Sequence, residues 1–280
     1  MKMNADPTIE NVRQFWDANP LFFGEASAPT VDIEWFEQHR QVVIGDGYAG
    51  RFDERILPPA ENQGVVLDLG CGPGFWTVEL MKRSKIKKMY AVDLTARALE
   101  ITKKRLSCYG LQADVLIENA EQLSFANASF DHVNCQGVIH HTPNTEAAVA
   151  EIARILRSGG TASLSVYYRN IVLRHWAIFS WMGRFLALCG AKLSGRGREN
   201  IYRQRDVNEI VRLYDGFENP IGKSYTRAQL LALLRPHFHV ERVFFHFFPA
   251  RSLPFPIPQL VHRALDVTLP FMIFVNVRKP

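Results

Sequence analysis

What the chain lacks narrows its class before any motif is read. Cysteine is sparse: the four, Cys71, Cys108, Cys135 and Cys189, are far apart and form no CxxC pair, so neither a zinc ribbon nor a disulfide framework is indicated and a reducing compartment fits. There is no charged tail either, and no long uninterrupted run of one charge. The 33 Lys and Arg residues are interleaved with 28 Asp and Glu for a net charge of +5, a balance that permits an anionic partner without demanding one. No internal repeat and no low-complexity stretch is present, which argues against solenoid and linker architectures. The first residues, MKMNADPTIENVRQFW, carry acids and polar groups where a secretory signal needs an apolar run, so a cytoplasmic location is expected. The single long apolar run, IVLRHWAIFSWMGRFLALCG at 171–190, is interrupted by Arg174, His175 and Arg184; it reads as a buried or interfacial helix and not as a span. What remains is a 280-residue chain, 47% hydrophobic, ample for one large domain core.

The pattern along the chain divides it into zones. Residues 1–63 mix aromatics, among them Phe15, Trp16, Phe22, Phe23, Trp35 and Phe36, with helix-compatible charge and end in the turn-rich LPPAENQG, as expected of a helical cover. Residues 64–168 alternate short β-branched runs (VVLDL, MYAVD, ADVLI, FDHVNCQ, TASLSVYY) with helical patterns. Strands separated by helices of this length imply βαβ units and a parallel sheet covered on both faces. Thr95 is placed to cap the helix that Gly110 ends, and the glycines of ILRSGG suit the left-handed turn that closes the helix begun near Thr145. Residues 169–235 hold the apolar run, a basic loop and a helix starting near Thr226, and read as a helical cap. In residues 236–280 the runs HVERVFFHFF and FMIFVNV complete the sheet, with the proline-rich PARSLPFPIPQ as a loop between them.

The most informative segment is VVLDLGCGPGFW at 65–76, an apolar strand that runs through Gly70, Gly72 and Gly74 into a helix. Such a turn lets backbone approach a ligand closely and leaves helix amides pointing at it. A dinucleotide fingerprint requires GxGxxG, whereas the spacing here is GxGxG followed by the bulky Phe75 and Trp76, which favours an S-adenosylmethionine site over a dinucleotide site. Asp93 ends the next strand some twenty residues on, where either kind of site places a carboxylate on ribose hydroxyls.

With these residues the sequence resembles the class I S-adenosylmethionine-dependent methyltransferases, and among them the branch that serves quinone biosynthesis. The resemblance covers residues 64–168 and rests on motifs in the right order: VLDLGCGPG, AVDLT, ENAEQLSFANASFDHV, QGVIHHTPN and EIARILRSGG. It implies an α/β, doubly wound, Rossmann-like sheet of seven strands, mostly parallel with an antiparallel last strand, and S-adenosylmethionine as cofactor. It also implies roles. Gly70, Cys71, Gly72 and Gly74 would line the methionine part of the cofactor, Asp68 would hold its amino group, and Asp93 would take both ribose hydroxyls. Leu94 would pack on the adenine and Ala120 offer its amide to the ring, with Glu121 and Gln136 counted among the cofactor residues. Asn119 stands where the family usually has aspartate; its carbonyl still accepts from an amino group.

Methyl transfer from a sulfonium is an in-line displacement, so the protein chiefly aligns the nucleophile and excludes water. His140 and His141 fall at the end of the fourth strand, where a base near neutral pKa would sit. His141 is favoured for that role with His140 beside it; packing under the sheet edge and orienting a loop is the competing reading for the pair. Tyr167, Tyr168, Arg169 and Tyr225 are candidates on the acceptor side, aromatic packing being the alternative for the tyrosines. No NPPY-like tetrad follows the fourth strand, and no carboxylate cluster suggests a metal. The expected acceptor is therefore a small, largely apolar molecule of aromatic, isoprenoid or quinone-like kind. An RNA or protein methyltransferase is the alternative, and a dehydrogenase is opposed by the glycine spacing. Arg196, Arg198, Arg203, Arg205, Lys223 and Arg227 fit an anionic group on the acceptor, anionic membrane headgroups, or plain solvated surface.

Overall fold

The computed structural model describes residues 7–20, 31–188, 201–253 and 255–280, and its sheet grows from the apolar runs. Strands β1 (Val65–Leu69), β2 (Lys88–Asp93), β3 (Asp114–Ile117), β4 (Phe130–Gln136) and β5 (Leu156–Tyr168) pair in parallel in the order β3-β2-β1-β4-β5. The sheet is completed by β8 (Met272–Arg278), antiparallel to β5, and by β7 (His239–His246), antiparallel to β8 at the edge.

The strand count is eight, where seven are expected. Gly137, at φ +76°, turns the chain out of β4 just after Gln136 pairs with Ser165. One edge of β5 is thereby left open at Tyr167 and Tyr168, and the two-residue β6 (Ser224–Tyr225) occupies it in parallel.

Adjacent residues of a strand face opposite sides, and β1 shows how the two faces are filled. Leu67 belongs to one continuous apolar cluster with Val149 and Ile152 of α5 (Thr145–Ile155) and Leu230 and Leu234 of α9 (Arg227–Leu234). Val66 packs on the other side with Leu80 of α3 (Phe75–Arg83). Ala91 of β2 meets Leu99 of α4 (Ala96–Cys108) on that same side. Burial on both faces is why these strands read as unbroken apolar runs.

Helix ends follow the sequence in part: α5 stops at Ile155 on an extended Leu156, and the glycines expected to close it, Gly159 and Gly160, lie within β5. Thr226 and Gln229 form a reciprocal capping box on α9, but Thr95 does not cap α4: its hydroxyl donates to Asp93 Oδ1 at 2.8 Å. The long apolar run is two helices, α6 (Ile171–Arg174) and α7 (Trp176–Leu188), broken at His175; Cys189 and Gly190 lie outside the described residues. They pack on α8 (Val207–Asp215) through Leu173, Trp176, Ile210 and Val211. The proline-rich loop has about its expected length, but a helix not foreseen, α10 (Gln259–Thr268) with Pro258 as its N-cap, follows it before β8. The N-terminal zone supplies α1 (Ile9–Ala18) and α2 (Ile33–Gly47); Phe22 and Phe23 lie outside the described residues.

Candidate active site

The glycine loop is held from three sides. The Val92 carbonyl at the end of β2 accepts from the amides of Gly70 (2.8 Å) and Cys71 (2.9 Å). From α4, Thr102 Oγ1 donates to the Gly72 carbonyl at 2.7 Å, and Arg105 Nη1 donates to the Pro73 carbonyl at 2.9 Å. Thr102 and Arg105 are three residues apart, so one face of α4 serves both bonds. Gly70 has φ +72°, and a Cβ there would run into the Cγ2 methyl of Val138; only glycine suits both demands.

Asp93 closes the loop. Its Oδ2 accepts from the Gly72 amide at 2.9 Å, and its Oδ1 accepts from the amide and hydroxyl of Thr95 at 2.9 and 2.8 Å. Burial raises the carboxyl's pKa, and these hydrogen bonds oppose the rise. A carboxylate offers about four acceptor positions, so three protein donors still leave room for a ligand.

At the carboxyl ends of β1, β2 and β4, where strand order reverses about β1, a crevice opens, the position at which open α/β sheets take ligands. Gly70, Cys71, Gly72, Asp93, Leu94, Asn119, Ala120, Gln136 and His141 all line it. Its roof comes from the N-terminal cover: Ile9, Val12 and Trp16 of α1, and His39 and Val43 of α2. Asn119 Oδ1 is already engaged, accepting from the Glu121 amide at 3.0 Å.

Other candidates stand back from the crevice wall. Asp68 is buried beneath the loop, where its carboxylate accepts from Thr77 Oγ1 at 2.6 Å and Asn134 Nδ2 at 2.8 Å. Burial pushes its pKa up to about 6 despite those two bonds. Gly74, at φ +76°, packs on Thr102 and starts α3. Glu121 Oε1 reaches away to accept from the Asn144 amide before α5. Tyr168 packs on Phe245 and accepts from Arg174, Arg169 donates to Ser224 and Asn208, and Tyr225 donates to Thr145 Oγ1. These three tie β5 and β6 to their neighbours. Lys223 is used likewise, on the Pro143 carbonyl and Thr145 hydroxyl. Arg196 and Arg198 lie outside the described residues; Arg203 and Arg205 are exposed.

The two histidines part company. His140 is buried with its ring 4.3 Å from that of Tyr167, and its Nδ1 has no hydrogen-bond partner among the described residues. Burial, seconded by His141 and Lys223, holds its pKa well below 6.5, so it is a neutral ring in an apolar setting. His141 borders the crevice under Trp16, the ring centroids 5.0 Å apart. Its Nδ1 lies 2.7 Å from the Ile221 carbonyl, which can only accept, and its Nε2 lies 3.5 Å from Asp215 Oδ2. Both nitrogens thus face protein acceptors, and a proton-accepting role would require Nε2 to leave Asp215.

Asp215 is the residue that sequence reading missed. It also accepts from the Tyr167 hydroxyl at 2.6 Å, so the turn after β4, the end of β5 and α8 converge on it. One signal was available: an acid as the last residue of a helix opposes the helix dipole. His39 and Arg105 were missed as well. Arg105 is fully buried; it donates to the Phe36 carbonyl at 3.2 Å and approaches His39 Nδ1 at 3.0 Å, linking α2 to the loop.

The residues at the crevice suit an adenosyl ligand that bears an amino group. Gly72, at φ +52°, would have its Cβ in open space, so the loop backbone faces the crevice directly. Gln136 Oε1 is a buried acceptor on the same wall with no hydrogen-bond partner among the described residues.

Comparison with known proteins agrees with this geometry. Residues 67–164 match the model of a methyltransferase domain, and the chain carries a class I, S-adenosylmethionine-dependent methyltransferase domain, whose cofactor is S-adenosylmethionine. It is 27% identical over 176 residues to the ubiquinone biosynthesis O-methyltransferase of Azoarcus sp. (strain BH72), covering 61% of this chain and 66% of that protein. It is 33% identical over 109 residues to the ubiquinone/menaquinone biosynthesis C-methyltransferase of Bartonella bacilliformis, covering 38% and 42%. The matches therefore span less than two thirds of those relatives' own lengths. The fold of the cyclase SpnF covers 99% of this chain and 97% of that one with a TM-score of 0.58 at 13% identity.

Proposed function

We propose that the protein transfers a methyl group from S-adenosylmethionine to a small, largely apolar acceptor of aromatic, isoprenoid or quinone-like kind. The observation that carries this reading is the crevice: a glycine loop and a strand-end carboxylate on one side, and a roof of Ile9, Val12, Trp16 and Val43 on the other. The relatives named for ubiquinone and menaquinone biosynthesis support the acceptor class.

In this reading Asp93 accepts from the ribose, Leu94 and Ala120 flank the adenine with Asn119 beside them, and Gln136 Oε1 and the backbone of Gly70, Cys71 and Gly72 receive the amino-acid end. Asp68, Gly74 and Glu121 act from behind, by fixing the loop and the start of α5. The bound cofactor supplies an electrophilic methyl carbon. The chain's own share is orientation and exclusion of water, by closing α1 and α2 over the acceptor. Trp16 provides an aromatic wall for a flat acceptor, and His141, held by Ile221 and Asp215, fixes the floor beneath it. With both nitrogens of His141 so engaged, the arrangement suits an acceptor whose reacting atom needs no strong base. Tyr168, Arg169 and Tyr225 shape the β5–β6 end and do not touch the acceptor.

Incubating the protein with methyl-labelled cofactor and cell extract, then fractionating the label, tests the proposal. Label in the organic-soluble fraction is expected. Label confined to RNA or protein overturns the acceptor class, and binding of the cofactor without any labelled product overturns methyl transfer itself.

A further inference from the structure

A helix that is apolar all round normally has apolar surroundings on every side. Helix α7 is largely apolar in composition, yet among the described residues it is covered on one side only. Its inner face carries Trp176, whose indole donates to the Gln204 carbonyl at 2.8 Å, Ser180, and Gly183, which lies against the ring of Tyr202. Its outer face carries Ile178 (69% exposed), Trp181 (71%), Met182 (47%) and Phe185 (57%). The spacing of these four, i, i+3, i+4 and i+7, aligns them in one stripe. Trp181 and Phe185 stack on each other at 6.4 Å instead of turning inward. Ile171, on α6, is 49% exposed as well. A contiguous apolar stripe of this kind on a surface marks an interaction site.

Charge identifies what covers it. From 169 to 205 the sequence has eight Lys and Arg residues and a single acid, Glu199, in a chain whose charges are elsewhere interleaved. Among the described residues of this stretch, Arg174, Arg184, Arg203 and Arg205 are exposed, and no acid shares the surface of α6 or α7 with them. Residues 201–205 lie against α7: Arg184 Nε donates to the Tyr202 carbonyl at 2.8 Å, which keeps Arg203 and Arg205 beside the helix. An apolar stripe of aromatic and aliphatic side chains with arginines about it is what an interfacial helix presents to anionic lipid. A protein partner complementary to this surface would have to match both greasy side chains and the exposed arginines, beside which Asp206 is an exposed acid; an anionic bilayer offers both at once.

We propose that α7 is a monotopic docking helix, lying in the headgroup region of an anionic phospholipid bilayer with Ile178, Trp181, Met182 and Phe185 inserted and the arginines at the phosphates. The 13 residues of α7 rise about 20 Å, short of the roughly 30 Å of a hydrocarbon core, and no helix among the described residues is long and apolar enough to cross a membrane. The helix lies on the bilayer and does not span it. Docking there stands independently of methyl transfer. It would also bring the module of Trp176, Leu213 and Tyr167, whose last member bonds the Asp215 of the crevice floor, within reach of acceptors dissolved in lipid.

The full chain is tested by co-sedimentation with vesicles of phosphatidylglycerol and phosphatidylcholine, against vesicles of phosphatidylcholine alone. Binding to the anionic vesicles that weakens as salt is raised is expected. The double variant Trp181→Ser, Phe185→Ser should lose at least about tenfold in partition, with affinity for S-adenosylhomocysteine unchanged because the crevice is untouched. The variant Arg203→Gln, Arg205→Gln should lose about tenfold on anionic vesicles only. Equal binding to both vesicle types, no binding to either, or undiminished binding of the Trp181/Phe185 variant overturns the proposal. So does light scattering that shows a dimer which the Trp181/Phe185 variant splits into monomers, because the stripe would then be an interface between copies of this chain.

Discussion

Replacing Asp93 with alanine is the sharpest test of the cofactor crevice. The carboxylate accepts three hydrogen bonds from the protein, one from Gly72 and two from Thr95, and its remaining capacity is for about one ribose hydroxyl. Bonds to a charged acceptor contribute about 1.5–3 kcal/mol each, and each 1.4 kcal/mol is about tenfold in affinity. Losing the ribose contact, with some compensation by water at this half-exposed position, should weaken binding of S-adenosylhomocysteine by one to two decades in titration calorimetry. The loop loses its Gly72 tether as well, so a fall in melting temperature of the ligand-free protein is expected. Asp93→Asn separates the two effects. The amide oxygen can still serve Thr95, but the amide nitrogen cannot accept from Gly72, so an affinity between those of wild type and alanine should result. Unchanged affinity in the alanine variant would mean that the ribose lies elsewhere, and the assignment of the crevice would fail.

Four other outcomes follow from the same geometry. Gly70→Ala forces a residue with a Cβ into the left-handed region at about 1–2 kcal/mol and into Val138 besides; a clear drop in melting temperature is expected, partly restored by adding Val138→Ala, which makes room. Arg105→Met should cost about 2–4 kcal/mol in denaturant unfolding, because the carbonyls of Pro73 and Phe36 lose their donor, and cofactor affinity should fall with it. His246 sits between Asp266 at 2.7 Å and Asp53 at 2.6 Å; burial lowers its pKa, but the bonds to the two carboxylates outweigh burial and raise it above 6.5. A raised pKa stabilises fully below 6.5 and is lost as pH climbs through the folded value, where a neutral ring has one N–H for two carboxylates. Thermal stability should therefore decline on the alkaline side of 6.5, and His246→Gln should flatten that slope; an equally steep slope in the variant would place its origin elsewhere. Asp215→Asn should lower label transfer about tenfold by loosening His141 beneath the acceptor, with cofactor affinity unchanged; full activity would remove Asp215 from the acceptor side.

The core of the fold was legible because its signals are local. A strand buried on both faces has to be an apolar run, and a chain that turns from strand to helix against Val138 has to use glycine, so β1 and the loop could be read residue by residue. Asp93 was legible for the same reason, as the last residue of β2. What was not legible depends on neighbours far along the chain. Nothing local says that Thr95 will give its hydroxyl to Asp93 in place of α4, or that β4 stops early enough for residues 224–225 to add an eighth strand. The break of the long apolar run at His175 and the start of α10 after Pro258 were likewise set by packing. On the site itself, His141 could be placed at the crevice from its motif, but the partners that occupy its two nitrogens come from Asp215 and Ile221, more than seventy positions later. Tyr168, Arg169 and Tyr225 were read from position alone, and the partners of their polar groups, Arg174, Ser224, Asn208 and Thr145, come from other elements that the local sequence does not show.

The guanidinium of Arg105 has a consequence for modularity. The N-terminal cover looks detachable in the linear sequence, yet α2 is fastened to the catalytic half by an arginine encoded some seventy residues downstream, and by Arg40 on Glu79 at 2.6 Å. Anyone exchanging that cover between related enzymes to change their acceptor would have to move Arg105 with it, because a graft that leaves the arginine behind loosens the glycine loop along with the roof.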